Sequence, residues 1–364
     1  MTTLFPFGFP AATAFYLVLL VATLVLHMVV MHYVLAGTAY LAFGRLMGPK
    51  RCAVCGWQAI LIDWLPFATG LAITAGVAPL LFVQILYQQA FYTSNLLLSH
   101  RWIAILPVLI VCFSLLFVQK SAWITRRAWF WRIPLAAAAF AGVMFIAASW
   151  TQNHLLSLDQ GVWPRLYAER ALDSSTPGFL PRLGVWFFAA FATLAVELAW
   201  QGRMLGMELV QPPPGSSHVM GLSAVRRLSL TAMSGCVGVV GCGLAYVATL
   251  PLETRSVIGG PLAGPWVVAV LMGLGLQMLA WAWVAFRDRL PLPVLLAATT
   301  GCGVSMVSGV VLREALRAKA IDLTTLTDLH AAATEIGGLP VFLIFAVANV
   351  AAIGWCIRIA RRHA

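Results

Sequence analysis

Nine apolar runs succeed one another along this chain, at 11–44, 57–87, 92–119, 129–154, 180–202, 222–250, 262–286, 290–312 and 336–357. Short polar connections separate them. Each run is long enough to cross the roughly 30 Å hydrocarbon core of a bilayer as a helix. None shows the apolar–polar alternation of a barrel strand, and an unpaired backbone is not tolerated in lipid. The pattern predicts an all-α integral membrane protein with about nine spans. Met1 to Phe9 carries no Lys or Arg, and the run after it exceeds a signal-peptide core, so the first run is read as a retained span.

The polar connections divide into two sets. Arg45, Lys50, Arg51, Lys120, Arg126, Arg127, Arg132, Arg203, Arg226, Arg227, Arg287, Arg289, Arg358, Arg361 and Arg362 fall on one side, 15 of the 23 basic residues. On the other side, 8 basic residues stand against 8 acidic ones. The positive-inside rule puts the first set in the cytoplasm. The expected topology has the N-terminus periplasmic and the C-terminus cytoplasmic, in a bacterial inner membrane. Pro212-Pro213-Pro214-Gly215 stiffens a cytoplasmic linker, 211–221, between helix groups 11–202 and 222–357 of a single membrane domain. Two outer connections are long. Residues 155–179 include the turn Ser174-Ser175-Thr176-Pro177-Gly178, and 313–335 read as a short amphipathic surface helix.

Composition sharpens this picture. The chain of 364 residues is 61% hydrophobic and 10% charged, too apolar for a soluble domain of this size. The net charge of +11 lies in inter-helix loops, which excludes a nucleic-acid stripe. Seven cysteines are scattered without a Cys-x-x-Cys-His run, so covalent c-type haem attachment is not expected. Cys52-Ala53-Val54-Cys55 is a lone pair in an inner loop.

The chemistry-bearing residues are the histidines. His27 and His32 lie within the first apolar run, where an ionisable group is expensive and marks a candidate site. Counted from the nearest cytoplasmic charge at about 1.5 Å per residue, His27, His32, His100 and His154 all fall in the outer part of the membrane. Five residues at 100° each place His27 and His32 about 140° apart, so they face different neighbours and cannot ligate one haem from both sides. His100 and His154, on other spans, are the natural opposite ligands. Arg101 suits a haem propionate. For any single histidine the competing reading is a hydrogen bond to a neighbouring helix. His218, His330 and His363 are read as solvated. Glu197 lies six residues before Arg203 and is read as pairing near the cytoplasmic edge. Gln84, Gln88 and Gln89 with Tyr87 and Tyr92 crowd an outer helix end and suggest a quinone pocket or an aromatic belt.

Several short stretches resemble subunit I of the cytochrome bd quinol oxidases, and more closely the divergent bd-like membrane proteins found with c-type cytochromes. These are His27 through Ala36-Gly37, the pair His27 and His32, Ser149-Trp150-Thr151-Gln152, and Leu290-Pro291-Leu292-Pro293. The resemblance implies a nine-span bd subunit I-like bundle. The chain departs from the family in four places, one of them the outer loop between the sixth and seventh spans, reduced to about a dozen residues around Glu253-Thr254-Arg255. The fifth span has no histidine, Met272 stands one place off the family's methionine, and Leu312-Arg313-Glu314-Ala315-Leu316-Arg317 replaces its Gly-Arg-Gln-Pro-Trp.

The resulting expectation is a membrane subunit carrying one or two haem b, with quinone possible. It would pass electrons between the quinone pool and a periplasmic c-type cytochrome alongside other membrane subunits. His27, His32, His100 and His154 are the candidate iron ligands and Arg101 a cofactor contact. Two alternatives stay open: a bd-like terminal reductase of O2 or NO, and a haem-free anchor or scaffold subunit of a redox or photosynthetic complex.

Overall fold

A computed structural model describes residues 5–46, 56–127, 129–169, 178–205 and 223–335, with isolated positions between 343 and 358. Among them, eight spans are long and apolar enough to cross a membrane. They are α1 (Ala11–Leu46), α2 (Gly56–Leu86), α4 (His100–Ile103) with α5 (Ile105–Lys120), α7 (Trp129–Leu158), α9 (Phe179–Met204), α10 (Ala224–Thr249), α12 (Gly264–Arg287) and α13 (Leu292–Ala320). The chain is a multi-pass, all-helical membrane protein. The expected ninth span at 336–357, the linker 211–221, Cys52, Cys55 and His218 fall wholly or largely outside the described residues, as does His363.

Two expectations are corrected. The third span is not one helix from 92 to 119. The chain forms α3 (Gln88–Leu98), turns at Ser99 with φ 48°, and resumes as α4 (His100–Ile103) and α5 (Ile105–Lys120). The segment after Leu312 is not a surface helix. α13 continues unbroken to Ala320, with Glu314 and Arg317 fully buried. A separate short helix, α14 (Thr327–Glu335), follows. The remaining short helices are α6 (Ala122–Thr125), α8 (Trp163–Glu169) and α11 (Leu252–Gly259).

In lipid the helices gain little from hydrophobicity against one another, so small residues and polar contacts hold them together. α1 is the hub, packing against α2, α7, α9 and α13, while α9–α10 and α12–α13 are closely paired. One continuous apolar core runs through both halves of the chain. Closest approach is set by glycine. A Cβ on Gly273 of α12 would lie 2.7 Å from the Gly301 carbonyl oxygen and 2.7 Å from the Ser305 amide of α13. A Cβ on Gly235 of α10 would meet the α9 backbone at 2.8 Å. Gly241 and Gly243, in the same small-residue run, would meet nothing within 4 Å and so do not mediate packing.

Many Ser and Thr hydroxyls within the spans donate to the helix that carries them. Thr38 donates to the Val34 carbonyl, Thr69 to Leu65, Thr151 to Ala147 and Thr299 to Leu295. Other polar groups bridge helices: Trp57 to the Ala224 carbonyl, Trp200 to Thr299, Gln277 to Ser305, and Asn153 to Asn95 at 2.7 Å.

His330, expected to be solvated, is fully buried and fastens α14 to the bundle. Its Nε2 lies 3.3 Å from the Leu86 carbonyl, which can only accept, so Nε2 carries the proton. Its Nδ1 then accepts from the Thr13 hydroxyl at 2.8 Å. The sequence signal was ambiguous because a histidine two residues after Asp328 in a short outer segment fits a solvated face equally well.

Two outcomes follow from this packing. Gly273→Val should destabilise the bundle by about 1–3 kcal/mol through overpacking. Gly243→Val should stay within about 0.5 kcal/mol, both read by unfolding in mixed micelles. Burial also pushes the His330 pKa below its ordinary value, outweighing the Leu86 bond. The ring is neutral in docked and undocked α14 alike above about pH 6.5, and below it the undocked state takes the proton first. Hydrogen exchange across 327–335, corrected for intrinsic rate, should therefore accelerate as pH falls from about 7 to about 5. His330→Gln should flatten that dependence.

Candidate functional site

His27 and His32 diverge around α1 as their spacing requires. His27 is half-buried and faces α2, where its Nδ1 lies 3.1 Å from the Ala72 carbonyl. Gly76 makes room for it: a Cβ there would lie 3.0 Å from the imidazole Cε1. A carbonyl only accepts, so Nδ1 carries the hydrogen and Nε2 keeps its lone pair.

His32 is buried and faces α9. Its Nδ1 is 3.0 Å from Thr193 Oγ1, and that hydroxyl spends its own hydrogen on the Ala189 carbonyl. Thr193 must therefore accept from His32, and the His32 Nε2 lone pair is left buried without a partner. Trp186 meets the imidazole edge-on, with centroids 6.2 Å apart. The Cys302 thiol of α13 donates to the same Thr193 oxygen at 3.7 Å. One and two turns further along α9 come Glu197, whose Oε2 is buried without a hydrogen-bond partner, and Gln201, which accepts from Tyr33 at 3.0 Å. Thr193, Glu197 and Gln201 form a polar stripe at i, i+4, i+8. Glu197 was expected to pair locally near Arg203; its orphaned oxygen shows otherwise.

His100 sits in a different setting. It is exposed at the helix break, 3.1 Å from Ser99 Oγ. Next to it, Arg101 is half-buried, donates from Nε to Ser149 at 3.2 Å, and lies 5.9 Å from the ring centres of Phe145 and Phe179. Trp150 packs against Trp102 at 4.8 Å and near Phe91 at 6.3 Å, so the Ser149–Gln152 stretch joins α7 to α3 and α4.

His154 is buried in α7, its Nδ1 without a partner. The charges of Arg313, Arg182 and Arg317 all bear on it. These residues belong to a contiguous polar cluster at one end of the bundle. Tyr87 donates to Glu314 Oε2 at 2.7 Å, Arg313 pairs with the other Glu314 oxygen, and Arg317 reaches Ser157 at 3.4 Å. The Arg317 guanidinium lies 3.9 Å from the Tyr87 ring centre. Arg182 lies over Tyr246 at 5.3 Å and Trp186 at 5.9 Å.

The four candidate iron ligands thus occupy separate settings, two helix interfaces, one exposed break and one cationic cluster. Among the described residues no three of His, Cys, Asp and Glu gather as a metal site. The donor chemistry still fits haem at one or two of them. A ligating imidazole gives one ring N–H to a carbonyl or hydroxyl and offers the other nitrogen to iron, which is the state of His32 and, by its Ala72 bond, of His27. No family model, curated protein or solved structure matches this chain.

Sequence reasoning missed Arg182, Ser157 and the inward role of Glu314 and Arg317. The available signal was spacing. Arg313 and Arg317 stand four apart, one turn of a helix that had no Pro or Gly to end it after Val310.

Glu314 is the one carboxylate in contact with this cluster among the described residues. Removing it as Glu314→Ala leaves buried guanidiniums without their counter-charge and should destabilise the protein by about 3–5 kcal/mol. Asp63→Ala, which breaks the exposed pair with Lys120, should register below about 1 kcal/mol in the same unfolding assay.

Proposed function

We propose that this chain is a membrane-embedded anchor or scaffold subunit of a redox or photosynthetic complex, placed in a bacterial inner membrane. It holds partner subunits at the bilayer and does not itself carry electrons between two histidine-ligated haems. The reading rests on the separation of the four histidines. His27 and His32 are each engaged to a different helix, His100 is exposed, and His154 faces guanidiniums. Quinone-to-cytochrome c transfer through bis-histidine haem draws less support from that arrangement. A periplasmic c-type cytochrome remains a candidate partner on the strength of the bd-like motifs alone.

A second reading has its own observation, the unpartnered Nε2 of His32. A haem held there by His32 would serve a bd-like reductase of O2 or NO. His32 would hold the iron, with Thr193 fixing its tautomer and Trp186 its ring plane. The haem would supply the redox chemistry and gas binding. Near it, Glu197 on α9 and Tyr33 on α1 offer groups that can hold protons, and Gln201 accepts from the Tyr33 hydroxyl.

One preparation decides between the readings. Dithionite-reduced minus oxidised spectra of the purified full chain should show no b-type band. A stoichiometric b-type band that shifts with CO and disappears in His32→Ala would overturn the scaffold reading in favour of the reductase.

A further inference from the structure

The cluster at the end of α2, α7, α9 and α13 holds more positive charge than its own residues balance. Three guanidiniums, Arg182, Arg313 and Arg317, share one carboxylate, Glu314, among the described residues. Arg317 and Glu314 are fully buried, and Arg313 is nearly so, its side chain 12% exposed. An uncompensated buried charge is expensive and persists only where a counter-ion or solvent meets it.

The unsatisfied donors say what kind of counter-ion fits. Arg182, Arg313 and Arg317 each bury an Nε–H with no acceptor, and His154 Nδ1 beside them is unpartnered too. Nε–H and its neighbouring Nη–H form the edge of a guanidinium that takes two oxygens of an oxyanion at once. A carboxylate has two oxygens and is soon saturated; a phosphate group offers more acceptors to several such edges. The walls suit retention as well, with Tyr87 under Arg317 and Tyr246 under Arg182. The neutral contacts to Tyr87 and Ser157 do not discharge the excess.

We propose that Arg182, Arg313, Arg317 and His154 form an intramembrane binding site for a phosphate group. Two sources share this chemistry, the headgroup of an anionic phospholipid and free phosphate. Neither depends on whether the chain ligates haem.

The test uses the full chain, delipidated in neutral detergent and followed by Tm and by native mass. The probes are dioctanoyl phosphatidylglycerol, inorganic phosphate, and dioctanoylglycerol as the same acyl chains without phosphate. A saturable rise in Tm with matching bound mass is expected for at least one phosphate-bearing probe and not for dioctanoylglycerol. A response to the phospholipid alone assigns the site to a headgroup; a response to inorganic phosphate assigns it to the free anion. Arg317→Gln should raise the half-saturating concentration about tenfold or more, the loss of one charged hydrogen-bonding edge. Because Arg317 is buried and its replacement risks misfolding, Arg182→Gln, whose side chain is half-buried and rests on aromatic rings, serves as the second variant with the same expected shift. The proposal is overturned if neither phosphate probe raises Tm, if dioctanoylglycerol does so equally, or if half-saturation is unchanged in the variants that fold.

Discussion

A polar side chain within hydrocarbon has no water to fall back on, so it must find its partner on its own helix or on the next one. This constraint organises the bundle. Hydroxyls turn back onto the preceding turn, which leaves helices free to pack by their small residues. Imidazoles cannot do so and reach across, His27 to α2 and His32 to α9, which makes α1 the hub that the two halves of the chain share. His330 does the same from outside the spans, holding α14 over the ends of α1 and α2.

The same constraint separates two kinds of polar site. Along α9, the stripe Thr193, Glu197 and Gln201 is uncharged or singly acidic and is closed by Cys302 and Tyr33 from neighbouring helices. At the bundle end, guanidiniums outnumber carboxylates and several donors lack acceptors. The first is what helix association needs. The second exceeds that need, and an excess of donors around a buried positive charge defines a site for an anion.

The eight described spans were legible, the third apart from its break, because apolar runs of this length have no other stable form in lipid. The divergence of His27 and His32 was legible too, because helix geometry alone fixes it. What was not legible arose where charge was mistaken for exposure. Arg313, Glu314 and Arg317 read as a water-facing face, yet the ion pair, the Tyr87 hydroxyl and its ring let α13 carry them inward for two more turns. The break at Ser99 left no Gly or Pro signal, and it leaves His100 exposed as the first residue of α4. Gly76 lies within the unbroken α2, and its use as a seat for the His27 ring emerges only from the packing of α2 on α1.

His27 and His32 serve as hydrogen-bonded ties between helices. A double-mutant cycle on His32→Leu and Thr193→Val, read by reversible unfolding in mixed micelles, measures this directly. A coupling energy of about 0.5–2 kcal/mol is the predicted result, the range of interhelical hydrogen bonds in membranes. Strictly additive single effects, with no coupling between the imidazole and the hydroxyl, would contradict it.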